Sequence, residues 1–350
     1  MQSSPSDLLR SAAAIRFGRR RIGVGQPVAV IAEIGINHEG DASVCAAMIE
    51  AAARAGADAI KLQTMDPDQN YMRGSESYLL FSRAVLSRED TAAMFDFARF
   101  LGMEAFTTAG DAPTIDWIER LEPAAHKISS GLLTNVPALQ HAARTGRTIL
   151  MSTGMADSAE IDEAVAAARE AGAMELGLFQ CTSLYPTARE YLNLGAMRWM
   201  EARYRAPVGF SDHSVGTSAA ALAVAAGACM IEKHFTLDTK RPGFDHHISL
   251  DQAGMAELVR GVRDAHVVLG SYAKTLTQQE RGQAPRFRRI IVAGRDIAAG
   301  ETFEESNLAL KRPLPGMSGL APRDWGKVLG RRAPLALRCD DPVPVHVLEA

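Results

Sequence analysis

Residues 55–64 read Ala-Gly-Ala-Asp-Ala-Ile-Lys-Leu-Gln-Thr, residues 171–181 read Ala-Gly-Ala-Met-Glu-Leu-Gly-Leu-Phe-Gln-Cys, and residues 226–235 read Ala-Gly-Ala-Cys-Met-Ile-Glu-Lys-His-Phe. In each copy an Ala-rich, helix-favouring stretch ends at a glycine and a short apolar run follows. Glycine just past a helix tolerates the left-handed turn that satisfies the last carbonyls. A short apolar run after it is the pattern of a parallel strand covered on both faces. The glycines at 56, 172 and 227 are separated by close to four and two units of roughly 28 residues, the period of a β/α array.

Working outward from these copies, strands are expected to begin near Ala29, Asp58, Glu104, Ala125, Arg147, Glu175, Pro207 and Cys229, with helices between them and a last helix ending near Leu269. Asp157 and Glu160 form a capping-box signature before the helix that ends at Gly172. Eight such units predict a (β/α)8 TIM barrel. A doubly wound sheet is the runner-up, disfavoured because no G-x-G-x-x-G follows the first strand. The barrel domain is expected over residues 1–275, with a leader and first β elements within 1–28. A polar, Arg-rich linker follows over 276–289. Residues 290–350 carry short β-type runs (I-I-V-A, L-A-L-K, V-P-V-H-V) between Gly, Pro and Asp turns, and predict a small β domain with a thin core that leans on something else.

The 350 residues are 47% apolar and 23% charged, which is globular composition. A net charge of −3 gives no overall basic field for nucleic acid. The longest apolar candidate, Ala219 to Ile231, is interrupted by Gly227 and is shorter than the roughly 18 residues a membrane span needs. Cys45, Cys181, Cys229 and Cys339 are scattered, with no C-x-x-C pair, as expected of reduced thiols in a cytoplasm. The apolar stretch Leu8 to Ile15 is broken by Arg10 and followed by Arg19, Arg20 and Arg21. A signal peptide has its charge first, so this reads as a ragged leader of a cytoplasmic protein.

In a (β/α)8 barrel the chemistry lies at the C-terminal ends of the strands. Seven of the eight predicted ends carry ionisable or hydroxyl groups: Glu33, Asn37 and His38; Lys61 and Gln63; Lys127, Ser129 and Ser130; Ser152 and Thr153; Ser183 and Tyr185; Ser211, Asp212 and His213; Glu232, Lys233 and His234. The remaining end, F-T-T-A-G-D, is less distinctive. A buried lysine is costly unless it meets an anion. Lys61 and Lys127, with the hydroxyls of Ser130, Ser152 and Ser211, suit a phosphate and a carboxylate. An internal pair with Glu33 or Glu232, and a Schiff-base lysine, are the other readings. His213 and His234 end adjacent strands and suit a divalent metal such as Mn²⁺ or Zn²⁺, although spacing alone fits hydrogen-bonded core histidines equally well. Asp212 orients a neighbour or caps the next helix. His38 competes as a ligand, and His246, His247 and Asp245 lie in the loop R-P-G-F-D-H-H.

The ordered segments I-A-E-I-G-I-N-H-E-G, K-L-Q-T, K-I-S-S-G, M-S-T-G-M, C-T-S-L-Y-P-T, G-F-S-D-H-S, E-K-H-F-T and R-P-G-F-D-H resemble the sialic acid synthase family from about residue 15 to 270. The tail, from R-D-I-A-A-G-E through L-K-R-P to V-L-G-R-R, resembles that family's antifreeze-like SAF domain. The resemblance implies a barrel followed by a β-clip SAF domain in a domain-swapped homodimer. The reaction it implies is condensation of phosphoenolpyruvate with an N-acylated mannosamine-type aldehyde sugar, giving a nine-carbon 2-keto sugar acid and phosphate. His213 and His234 match the metal ligands, for Mn²⁺ or otherwise Mg²⁺ or Co²⁺. Glu33 matches the active-site glutamate. Lys61, Lys127, Ser130, Ser152 and Ser211 match positions that hold phosphoenolpyruvate, and Gln63 is grouped with the substrate-binding residues. Ser183 stands where an asparagine is common, Tyr185 and Asp245 match the sugar site, and Arg312 matches the arginine that reaches the partner's sugar site.

Four departures bear on the acceptor. Leu132 stands where an acidic residue is common, Ser129 replaces a glycine, Phe244 replaces a proline, and F-T-T-A-G-D departs from a T-P-F pattern. Leu132 is expected either to wall the sugar site for a deoxy or otherwise modified acceptor or to be lineage drift. Two other functions fit the sequence: a pyruvate-dependent Schiff-base aldolase, and a catalytically silent carbohydrate-binding or coat-assembly protein.

Overall fold

The computed structural model describes residues 13–270 and 273–349, so the leader expected from Leu8 lies, up to residue 12, outside the described residues. The chain divides into two compact units at Gly270.

The first unit opens with a two-stranded antiparallel hairpin, β1 (Ile15–Phe17) and β2 (Arg20–Ile22). A closed barrel of eight parallel strands follows: β3 (Ala29–Gly35), β4 (Ala59–Gln63), β5 (Glu104–Thr108), β6 (His126–Ile128), β7 (Ile149–Ser152), β8 (Leu176–Cys181), β9 (Val208–Asp212) and β10 (Met230–His234), with β10 closing onto β3. Each strand starts within about two residues of its expected position. The signals that set these bounds act locally. Asp41 accepts the backbone N–H groups of Ser43 and Val44 to start the helix Ala42–Ala55, which stops at Gly56 in a left-handed turn (φ 88°). The capping box of Asp157 and Glu160 starts the helix Ser158–Glu170.

Side chains alternate across the barrel wall. One set, including Val30, Ile60, Ile128, Met151, Leu178, Phe210 and Ile231, faces the helices in a continuous apolar layer. The other set fills the interior: Ala29, Ile31, Ala59, Phe106, Leu150, Phe179 and Met230 cluster with Ile15, Phe17 and Ile22 of the hairpin. The hairpin thereby plugs the N-terminal end. Phe17 meets Phe106 edge to face at 5.2 Å between ring centroids. Gly209 lets β9 close in: a Cβ there would stand 2.7 Å from the Phe179 ring and 2.8 Å from the Met230 carbonyl oxygen.

The second unit holds an antiparallel pair, β11 (Ile290–Ala293) and β12 (Leu308–Lys311), extended by bridges such as Val292 with Pro342 and Ile297 with Leu337. It has its own core around Ile291, Ile297, Phe303, Leu320, Val328, Leu337 and Val343, fuller than the thin core expected from sequence. The segment read as linker carries a helix, Gln278–Phe287, started by a capping box of Thr277 and Glu280.

Candidate active site

On most barrel strands the inward residue changes character within one two-residue step. Apolar Ile31, Ala59, Leu150, Phe179 and Met230 are followed on the same face by Glu33, Lys61, Ser152, Cys181 and Glu232. Strand register brings these groups side by side: His234 pairs with Glu33, Glu33 with Lys61, Gln63 with Thr108, Thr108 with Lys127, and Ser211 with both Cys181 and Glu232. Together they line a cavity of about 340 Å³ at the C-terminal mouth, which also takes in Ser129, Ser130, Ser183, Tyr185 and His213.

Glu232 is the centre of this cavity. Lys127 Nζ donates to both its oxygens, at 2.8 and 2.7 Å, Lys61 Nζ donates at 2.9 Å and Ser211 Oγ at 3.0 Å. Burial disfavours its charged form, but the two lysines outweigh burial and hold the carboxyl well below the usual range. Burial also works against charged Lys61, yet the carboxyl groups of Glu232 and Glu33 together keep its ammonium above the ordinary value. For Lys127 burial, with the neighbouring Lys61 ammonium acting in the same direction, outweighs Glu232, and its pKa falls to about 8. The Lys127 ammonium also lies 4.6 Å from the Phe179 ring centroid.

Glu33 is pushed up to about 7 by burial, with Lys61 opposing the shift. Gln63 Nε2 donates to its Oε1 at 2.8 Å, while Oε2, 3.4 Å from Lys61 Nζ, has no hydrogen-bond partner. Buried polar atoms without partners are rare in folded proteins. Five occur among the described residues, and four of them, on Glu33, Thr108, Ser152 and His234, belong to residues lining this one cavity. A cavity so lined suits a polar ligand.

The two histidines face each other across 5.3 Å between ring centroids, and the Tyr185 ring lies 4.2 Å from that of His213. His213 Nδ1 lies 3.0 Å from the Thr182 carbonyl oxygen, which fixes its proton there and leaves the Nε2 lone pair available. Burial opposes a charged His213, but the Cys181 thiol beside it shifts the ring's pKa upward overall. His234 is driven well below its ordinary value by burial and by His213, so it is neutral, and its Nδ1 has no hydrogen-bond partner, with Asp245 Oδ2 3.5 Å away. A ring nitrogen on each of the two facing histidines suits a divalent cation. No group of three or more His, Cys, Asp or Glu residues arranged for a metal occurs among the described residues.

Behind the wall, Lys233 points away from the cavity, as strand alternation requires. It donates to Asp212 Oδ2 at 3.0 Å and also to the Ser214 carbonyl. Asp212 Oδ1 accepts the Ser214 N–H and hydroxyl, so Asp212 fixes the turn that carries His213.

The structure corrects several expectations. His38 is not placed with the other histidines: its Nδ1 accepts the Gly40 N–H at 3.1 Å, and it lines a separate small pocket with Leu62 and Gln63. Leu132 does not wall the cavity; it packs against the apolar layer between strands and helices. Of the readings open for the buried lysines, the internal pairing with Glu33 and Glu232 is present. Thr108 and Cys181 also line the cavity, and Gly154 packs behind two of its serines. A Cβ on Gly154 would stand 2.3 Å from Ser183 Oγ and 2.7 Å from Ser130 Oγ, and its N–H donates to Ser130 Oγ at 3.0 Å. The glycine in M-S-T-G-M was the available signal. Arg312 lies in the second unit, exposed, with its guanidinium 5.5 Å from the Phe287 ring centroid.

Residues 48–274 match the NeuB family and residues 288–345 match the SAF domain. The chain belongs to the NeuB family. The N,N'-diacetyllegionaminic acid synthase of Legionella pneumophila is 36% identical, over 88% of this chain and 91% of that protein. The pseudaminic acid synthase of Campylobacter jejuni is 33% identical, over 87% and 92%. The crystal structure of N-acetylneuraminic acid synthetase from Leptospira borgpetersenii superposes with a TM-score of 0.75 at 30% identity, covering 78% of this chain and 96% of that one. Sugar-acid synthases are thus among this NeuB chain's relatives, and the chain is an enzyme of that synthase class. No helix among its described residues is long and apolar enough to cross a membrane.

Proposed function

We propose that this chain condenses phosphoenolpyruvate with an N-acylated mannosamine-type aldehyde sugar to give a nine-carbon 2-keto sugar acid and phosphate. The observation that carries the reading is the pair of buried lysines, Lys61 and Lys127, held with Ser211 around Glu232, beside the unpartnered Ser152, Glu33 and His234 atoms in one cavity. Phosphoenolpyruvate brings a phosphate and a carboxylate, and two buried lysines with serine hydroxyls offer both charge and donors. In the reaction C3 of the enol bonds to the aldehyde carbon, water adds at C2, and the C2–O bond breaks to release phosphate. Glu33, with a pKa near neutrality, can hold or give up a proton at Oε2 next to the reacting carbons. Tyr185 and Asp245 flank the histidine pair on the acceptor side, and the lysine cluster orients the enol face.

His213 and His234 are the residues that would hold a divalent cation, Mn²⁺ foremost. When bound, such an ion supplies Lewis-acid polarisation of the aldehyde oxygen. Chelation should therefore abolish condensation and Mn²⁺ restore it, while His213→Ala should lose the bound metal, measured by elemental analysis. Full turnover by a demonstrably metal-free preparation would defeat the metal assignment.

The deciding experiment measures phosphate release from phosphoenolpyruvate with Mn²⁺ and a panel of N-acylated aldehyde sugars. A stable borohydride adduct of pyruvate on Lys61 or Lys127 would instead favour an aldolase. We also propose a domain-swapped homodimer that brings Arg312 to the partner's acceptor site. Among the described residues Arg312 has no ion pair or hydrogen bond, so its forked donors are free for a sugar or acyl oxygen. Mixing inactive Arg312→Ala and His213→Ala proteins under verified subunit exchange should restore activity. A mixture that stays inactive refutes the swap.

A further inference from the structure

The loop that carries Asp245 is held by residues more than two hundred positions away. Asn37 is buried, 1% exposed, and spends its whole amide on this loop. Its Nδ2 donates to the Phe235 carbonyl and to Ser249 Oγ, both at 3.0 Å, and its Oδ1 accepts the Asp245 N–H at 3.0 Å. Ser249 Oγ in turn donates to the Asp245 carbonyl at 2.6 Å. The next residue, His246, is fully buried and bridges in the same direction. Its Nε2 meets Glu39 Oε1 at 3.1 Å and its Nδ1 meets Thr236 Oγ1 at 2.7 Å. Glu39 also pairs with Arg241 at 2.7 Å. Each end of this lacing contains a residue in the left-handed region, Glu39 at φ 55° and Phe244 at φ 47°. Such conformations persist only where surrounding contacts over-determine them. Here those contacts are the bonds made by Asn37 and His246.

We infer that Asn37 and His246 are positioning residues: they lace the loop after β10 to the loop after β3 and thereby hold the Asp245 carboxylate against His234. Neither touches the cavity itself. Their effect reaches it through Asp245, whose Oδ2 stands 3.5 Å from the otherwise unpartnered His234 Nδ1. The consequence for turnover rests on the condensation reading, in which Asp245 contacts the acceptor. The lacing itself does not.

The test uses the full chain with Mn²⁺ and three variants, Asn37→Ala, Asp245→Ala and the double variant. Asn37→Ala should lower kcat/KM for the acceptor about tenfold or more while the KM for phosphoenolpyruvate stays within about twofold. In the Asp245→Ala background the same change should cost less than about twofold, because the residue it positions is gone. Hydrogen exchange over residues 236–249 should quicken at least about tenfold in Asn37→Ala, with exchange over 149–181 unchanged. Multiplicative losses in the double variant would overturn the inference, as would unchanged exchange in the loop or faster exchange everywhere. If Asn37→Ala does not fold, Asn37→Asp keeps the acceptor for the Asp245 N–H and removes both donors, and the same local exchange is expected. If the wild-type protein condenses no sugar in the panel, the condensation reading fails. The exchange measurement still decides whether the lacing exists.

Discussion

The two halves of the barrel interior are built on the same strands and differ by one two-residue step. The lower half is Ile31, Ala59, Phe106, Leu150, Phe179 and Met230, closed off by Phe17 and its hairpin. The upper half is Glu33, Lys61, Thr108, Ser152, Cys181 and Glu232. Below, every group is satisfied by contact. Above, a buried carboxylate sits between two lysines and four residues carry unpartnered polar atoms. The cost of desolvating the upper half is met by the apolar plug beneath it and by the helical layer outside it. This is how a stable fold keeps an under-satisfied site.

That contrast can be broken hardest at the lysines. Lys127 and Lys233 are both buried and both paired with a carboxylate, one inside the wall and one behind it. If the proposed condensation holds, Lys127→Ala should cut turnover about a thousandfold or raise the phosphoenolpyruvate requirement correspondingly, as expected when a preorganised charge is removed. Lys233→Ala leaves Asp212 buried and unpaired, so it should cost about 3–5 kcal/mol of stability, read by denaturant titration. Turnover per folded molecule should fall far less. Equal kinetic damage in folded protein from both would mean that the wall does not separate the two roles.

The lower half should answer in stability alone. Phe106→Ala removes the edge-to-face partner of Phe17 and leaves a void in a fully buried layer, at a cost of about 3–5 kcal/mol. The KM for phosphoenolpyruvate should not move by more than about twofold. A large kinetic effect with little loss of stability would show that the halves are coupled.

How much of this was legible follows the same division. The barrel was readable because each helix–glycine–strand unit is local, and local signals set every strand within about two residues. The inward face of the upper half was readable because alternation puts chemistry at strand ends. What pairs with what was not. Glu232 became central only when closure of the barrel brought it within reach of Lys61, 171 positions away, and Lys127, 105 positions away. The Asn37 lacing spans 208 positions and leaves no local trace. His38 shared its neighbours' motif but its loop turned it elsewhere. Leu132 was read through its position beside K-I-S-S-G, yet the short helical turn Ser130–Leu132 directs it into the apolar layer. The helix Gln278–Phe287 did have a signal, Thr277 with Glu280, obscured by Pro285 and by the density of arginines.

Glu33 gives the smallest expected effect on stability, and it carries a sign. Its carboxyl binds a proton more tightly in the folded protein, near pH 7, than in the unfolded chain, near 4.5. Its contribution is therefore most favourable below about pH 4.5 and is lost as pH rises through 7. Glu33→Gln keeps the shape and removes the ionisation. The variant should be more stable than the parent by about 1–3 kcal/mol at pH 8, and the difference should vanish near pH 4. Measured by chemical denaturation at both values, a variant that is less stable at pH 8 would show that Lys61, 3.4 Å from Glu33 Oε2, outweighs burial and keeps Glu33 charged. In turnover, an inflection near pH 7 should be present in the parent and absent from any residual activity of the variant. Stabilisation together with lost activity is what an upper half kept under-satisfied for chemistry requires.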